Sequence, residues 1–116
     1  MSTRTERVEQ LLRIEISDIL RREIKDPRLG FVTITDVEVT KDLRNAKVFV
    51  SVMGDEHAKA DSLIVLQRVA GFIRSEFGRR AHLKIIPEIT FKMDSAISHG
   101  SRIFEILQQV EHKDEE

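Results

Sequence analysis

FVTITDVEVTKDLRNAKVFVSVM, residues 31–53, is the stretch that decides the fold. Phe31 to Thr40 and Ala46 to Met53 are rich in Val, Ile, Thr and Phe, side chains that suit a pleated, half-buried surface. Ala46, Val48, Val50 and Val52 alternate cleanly, so the second run is a strand with one apolar face. The first run changes phase. Val32 and Ile34 share a parity that Val37 and Val39 do not, which predicts a β-bulge near Thr35-Asp36. The joining segment KDLRN is short enough for an antiparallel hairpin.

Upstream, Val8, Leu12, Ile16, Leu20 and Ile24, with Leu11 and Ile19 beside them, recur at helical spacing from Thr5 to about Lys25. Asp26-Pro27 ends that helix, because proline disfavours helical geometry in the residue before it and lacks an N–H. Downstream, Asp55 is a candidate N-cap for a helical segment to about Phe77, with Leu63, Leu66, Val69 or Ala70, Ile73 and Phe77 inward and Gly78 as C-cap. LKIIPEITFKMD then alternates Leu83, Ile85, Ile89, Phe91 and Met93 on one face, a third strand whose Pro87 suggests an edge or a bulge. From Ser95, Ile97, Ile103, Phe104, Leu107 and Val110 suggest a last helix that frays into an acidic tail at about 111–116. The expected class is α+β: a three-stranded sheet covered by helices, in one domain over residues 1–116.

Composition excludes several functions. The chain has no cysteine, hence no disulfide framework and no thiolate metal site, and it suits a reducing compartment such as the cytoplasm. No apolar run approaches the roughly 18 residues that a membrane span requires. His57, His82, His99 and His112 are scattered, with no H-E-x-x-H pattern, so no metal site is expected. Neither a phosphate-binding G-x-x-x-x-G-K-[ST] loop nor a set of nucleophile, base and oxyanion donors is present. No catalytic residue, enzymatic activity or cofactor is expected.

The net charge of −1 hides an uneven distribution. The tail EHKDEE carries four acids against one lysine, whereas residues 68–84 hold five basic side chains (Arg68, Arg74, Arg79, Arg80 and Lys84) against Glu76 alone. Arg21, Arg22, Lys25 and Arg28 make residues 21–28 basic too, and Arg44 and Lys47 add charge at the hairpin. Such local fields attract nucleic acid whatever the total charge. The six Phe mostly fall at positions that periodicity assigns to the core, Phe49 being the main exception, so recognition is expected to rest on phosphates and shape more than on base stacking.

Gly71 interrupts the second helical pattern. Unbroken from 56 to 78, that helix would be about 35 Å long, too long for a domain with a radius of gyration of about 13 to 14 Å. A bend at Gly71 would fold its halves back over the sheet. The glycine would equally let a phosphate approach the backbone, where the second half exposes free N–H groups. Packing joint and phosphate site are both open readings of this residue.

IKDPRLG (24–30), TKDLRNAKVFV (40–50), GFIRS (71–75) and IPEITF (86–91), in that order and spacing, resemble the ribosome-binding factor A family of bacterial small-subunit maturation factors. The resemblance runs from the first helix to at least Asp94. It implies a type II KH-like fold, helix, strand, strand, helix-kink-helix, strand, whose kink is written Ala-x-Gly in the family. Here the matching triplet is Val69-Ala70-Gly71, with Val69 in place of the small residue and the glycine kept. It further implies a monomer that binds the free immature 30S ribosomal subunit, assists maturation of 16S rRNA including its 5′-terminal helix, supports growth in the cold, and is released by a ribosome-associated GTPase. Two other readings fit the same residues: a protein-interaction or dimerisation module, and a generic KH-type binder of single-stranded RNA.

Overall fold

The computed structural model describes residues 3–94, in the order α1 (Arg4–Glu23), β1 (Val32–Val39), β2 (Asn45–Val52), α2 (Glu56–Ala81) and β3 (Glu88–Met93). The last helix expected from Ser95 and the acidic tail lie outside the described residues.

Thr3 starts α1 with a capping box, its hydroxyl accepting from the Glu6 N–H while the Glu6 carboxylate accepts from the Thr3 N–H. The helix ends at Glu23, just ahead of Asp26-Pro27. β1 and β2 pair antiparallel, and the register slips between Ile34 and Asp36, the bulge that the phase change of the apolar residues requires. β2 pairs with β3 in parallel, an arrangement that needs a crossover, and α2 supplies it. The sheet order is β1-β2-β3, so β3 is an edge strand and Pro87 sits immediately before it, where its missing N–H costs no ladder bond.

Both helices lie on one face of the sheet. Leu12, Ile16 and Ile19 of α1, Leu66, Ile73 and Phe77 of α2, Val48 and Val50 of β2 and Phe91 of β3 form the centre of the core, each at most 2% exposed.

Three expectations are corrected. The second helical region is not a pair of helices: α2 runs unbroken for 26 residues through Val69, Ala70 and Gly71. At about 1.5 Å per residue the helix is about 39 Å long. One glycine costs only about 1 kcal/mol relative to alanine, and buried anchors on both sides of it, Leu66 and Ile73, hold the helix to the sheet. Gly78 is not the C-cap; His82 is, in the left-handed conformation at φ 53°. Gly78 instead lies within α2, where the Ile86 side chain would stand 3.4 Å from an added Cβ. Finally, β3 begins at Glu88, and residues 82–87 form a connection rather than the start of the strand.

Candidate nucleic-acid interface

The KDLRN segment folds as a tightly bonded hairpin. The Thr40 hydroxyl donates to Asp42 Oδ1 at 2.7 Å and accepts from the Asn45 N–H at 3.1 Å, while Asp42 Oδ1 also accepts from the Arg44 N–H at 3.1 Å. The Thr40 hydroxyl, followed by the Arg44 N–H, lowers the Asp42 pKa. Leu43 adopts φ 64°, costly for a side chain this size, and buries itself in the core. With Leu43 turned inward, Arg44 is left exposed.

A second loop meets this hairpin. Arg74 reaches from α2 and donates from Nε to the Pro87 carbonyl at 3.1 Å and from a terminal nitrogen to the Ile86 carbonyl at 2.9 Å. Glu88 N–H donates to the Arg44 carbonyl at 2.8 Å. The hairpin, the connection after α2 and α2 itself thus converge on an open groove of about 410 Å³ lined by Arg44, Asn45, Arg74, Lys84, Ile85, Ile86 and Glu88. Three cations face one carboxylate there. Neither Arg44 nor Lys84 spends its side chain on a hydrogen bond or ion pair among the described residues, so both are available to phosphates.

The arginines at the end of α2 are differently placed. Arg80, 24% exposed, contacts four carboxylates: Glu15 at 3.1 Å, Asp18 at 2.8 Å and Glu23 at 2.5 Å on α1, and Glu76 at 3.5 Å on its own helix. These bonds raise its pKa, and its hydrogen bond to Asp18 is the main cause holding that carboxyl below the ordinary range. Arg79 grips the buried Glu76 through both carboxylate oxygens and is the main cause of its lowered pKa. Arg21 and Arg22 both pair with Asp18, at 3.0 and 2.8 Å. Arg28 folds back on Asp26, a charged clamp that lowers the carboxyl's pKa and closes the turn ahead of Gly30. The Gly30 N–H is in turn held by the Ser62 hydroxyl at 2.9 Å.

Of the eleven basic residues singled out in the sequence, the structure therefore gathers Arg44, Arg74 and Lys84 in one groove and builds Arg21, Arg22, Arg28, Arg79 and Arg80 into ion pairs. Lys25 is exposed just beyond α1, Lys47 lies on the solvent face of the sheet opposite Glu38 and Thr90, and Arg68 is exposed on α2. The helix break proposed to offer free N–H groups is absent, since Gly71 lies within α2. Val69 and Ala70 are partly buried against the core.

Periodicity missed two aromatic residues. Phe77 and Phe91 are in the core, but Phe31 is 76% exposed and Phe72 47%. Phe72 follows Gly71 and sits about 100° around the helix from the buried Ile73, an offset that a helical wheel of α2 reveals. Among the described residues no helix is long and apolar enough to cross a membrane, and no group of three or more His, Cys, Asp or Glu is arranged to hold a metal ion.

The family model for ribosome-binding factor A matches residues 4–107. Ribosome-binding factor A of Desulforamulus reducens is 52% identical over 110 residues, 95% of this chain and 92% of that protein. The fold is similar to the solution structure of a Thermotoga maritima protein assigned as a ribosome binding factor A, with a TM-score of 0.72 and 33% identity, over 84% of this chain and 94% of that one. It is also similar to a homology model of the Thermus thermophilus factor fitted into a cryo-EM map of its 30S complex, with a TM-score of 0.55 over 75% of this chain and 87% of that one. At 24% identity that last likeness shows the fold alone.

Proposed function

Because this chain belongs to the ribosome-binding factor A family, we propose that it is a non-enzymatic assembly factor that binds the free, immature 30S subunit and assists maturation of 16S rRNA, including the 5′-terminal helix. The observation that carries the reading is the groove in which Arg44, Arg74 and Lys84, distant in sequence, meet, with Arg44 and Lys84 uncommitted among the described residues. Cations held on a rigid scaffold bind RNA through its phosphates, and a related factor, that of Thermus thermophilus, has been fitted into a 30S complex. Mechanistically, the protein binds one rRNA conformer more tightly than its competitors and shifts the folding equilibrium by that difference in affinity, with no fuel of its own. Such help matters most in the cold, where misfolded RNA escapes slowly. A protein that only binds needs another event to leave, and a ribosome-associated GTPase acting on the particle fills that role. The cytoplasm is the compartment of such a cycle, and a monomer is its working form.

Sedimentation with purified 30S, 50S and 70S particles tests the reading, with 30S selectivity expected. The double substitution Arg44→Glu and Lys84→Glu is expected to weaken 30S binding by about 10- to 100-fold near 0.1 M salt and to flatten the salt dependence by about two phosphate contacts. Preferential binding to 70S, or salt-insensitive binding of the kind an apolar protein interface gives, would overturn it.

A further inference from the structure

The middle of α2 carries an outward face that nothing among the described residues explains. Gly71 stands inside a continuous helix, where glycine is unfavourable, yet a Cβ added there would meet nothing within 4 Å. Neither a close packing partner nor a left-handed backbone requires the glycine. On the same exposed side, one helical turn apart, lie Ile64, Arg68 and Phe72, with Ile64 46% and Phe72 47% exposed. The Arg68 side chain forms no hydrogen bond or ion pair among the described residues. Its charge acts weakly on Asp26, which Arg28 already holds.

We propose that this face is a stacking platform for an unpaired RNA base, with the Phe72 ring against the base, Arg68 at the adjoining phosphate and bare Gly71 leaving room for the strand to lie close to the helix. The proposal rests on the RNA-binding reading above and adds the form of RNA recognised. A duplex hides its base faces and would leave an exposed aromatic ring unused, whereas single strands are bound by stacking on aromatic side chains beside cations. A partner helix is a poorer fit, because Arg68 separates Ile64 from Phe72 and the polar Gln67 and Ser75 are also exposed. Helical geometry sets Arg74 on one side of Gly71 and Arg68 and Phe72 on the other. A strand leaving the Arg44–Arg74–Lys84 groove therefore reaches the platform by crossing the glycine.

The chain contains neither Trp nor Tyr, so Phe72→Trp introduces a lone fluorophore on the platform itself. On adding 30S particles or a short single-stranded RNA, the full-length Phe72→Trp protein is expected to bind and show indole quenching, which an RNA duplex of the same sequence does not produce. Phe72→Ala and Phe72→Leu are each expected to lose about 5- to 100-fold in 30S affinity, with an unchanged salt slope and an unchanged thermal midpoint. Parental affinity in Phe72→Leu would indicate apolar packing against a protein and overturn the platform. Tight 30S binding by Phe72→Trp without quenching would overturn it too, leaving the basic groove intact. A parent protein that binds neither 30S nor single strands overturns the RNA reading, and the platform with it.

Discussion

The last turns of α2 and its middle use similar residues to opposite ends. Around Glu76, Arg79 and Arg80 every charge has a partner, and Arg80 alone links four carboxylates on two helices. Around Gly71, Arg68 makes no ion pair among the described residues, Phe72 is half in solvent, and a Cβ added at the glycine would meet nothing within 4 Å. In sequence both segments are arginine-bearing helix. What separates them is the surface each faces: the end of α2 lies beside the acidic edge of α1 formed by Glu15, Asp18 and Glu23, while the outer face of its middle has no such neighbour among the described residues. A cation that has bought its neighbours' neutrality is structural, and one that has not is available to a ligand.

Arg80→Met is expected to have the largest effect. It leaves Glu15, Asp18, Glu23 and Glu76 crowded together without the cation they share. The thermal midpoint is expected to fall by several degrees, while protein that remains folded keeps its 30S affinity. Arg44→Glu with Lys84→Glu should behave the other way, with an unchanged midpoint and lost binding. If Arg80→Met lowered affinity in proportion to phosphate contacts with no loss of stability, the end of α2 would belong to the RNA surface after all.

A smaller effect follows from pH. Asp18 and Glu76 are held below their ordinary values of 3.8 and 4.5 by their arginine partners. A carboxyl whose pKa is depressed on folding contributes stability above its unfolded pKa and loses that contribution as pH falls through the folded one. Arg80, its own pKa raised, stays charged throughout. The stability gap between the parent and Arg80→Met should therefore be constant from pH 7 to about 5 and close progressively below about 4, as urea unfolding at a series of pH values would show. A gap that persisted undiminished at pH 2.5 would mean that Arg80 stabilises by hydrogen bonds that survive protonation of the carboxylates rather than by charge.

How legible all this was in the sequence depended on whether the governing contacts were local. The bulge at Thr35-Asp36 could be read because a β-strand alternates side chains with a period of two, so one extra residue leaves a mark in the pattern itself. The Asp55 cap and the antiparallel hairpin were readable for the same reason. The continuity of α2 was not, because Gly71 marks a weak point but not whether the burial of Leu66 and Ile73 on either side outweighs it. Nor could sequence sort the arginines. Arg80 lies 57 residues from Glu23 and 65 from Glu15, and only the packing of α1 on α2 brings them together. The groove has the same origin, since Arg44 and Lys84 become neighbours only through the parallel pairing of β2 with β3. The exposure of Phe72 is legible on a helical wheel, where it lies one position out of phase with the buried Ile73.

The smallest effect is the most pointed test, because it has the opposite sign. Gly71→Ala places a methyl in open space on a continuous helix, and alanine favours helix over glycine by about 0.5 to 1 kcal/mol. The variant should be more stable than the parent by that amount in urea unfolding, with no change in fold. If the middle of α2 is a surface that a ligand approaches closely, the same methyl weakens 30S binding, so stability and affinity move in opposite directions. A helix end governed by internal ion pairs cannot produce that result, since there every stabilising change leaves binding alone. A destabilised Gly71→Ala would instead restore the glycine to a structural role and remove the physical reason for regarding the middle of α2 as different from its end.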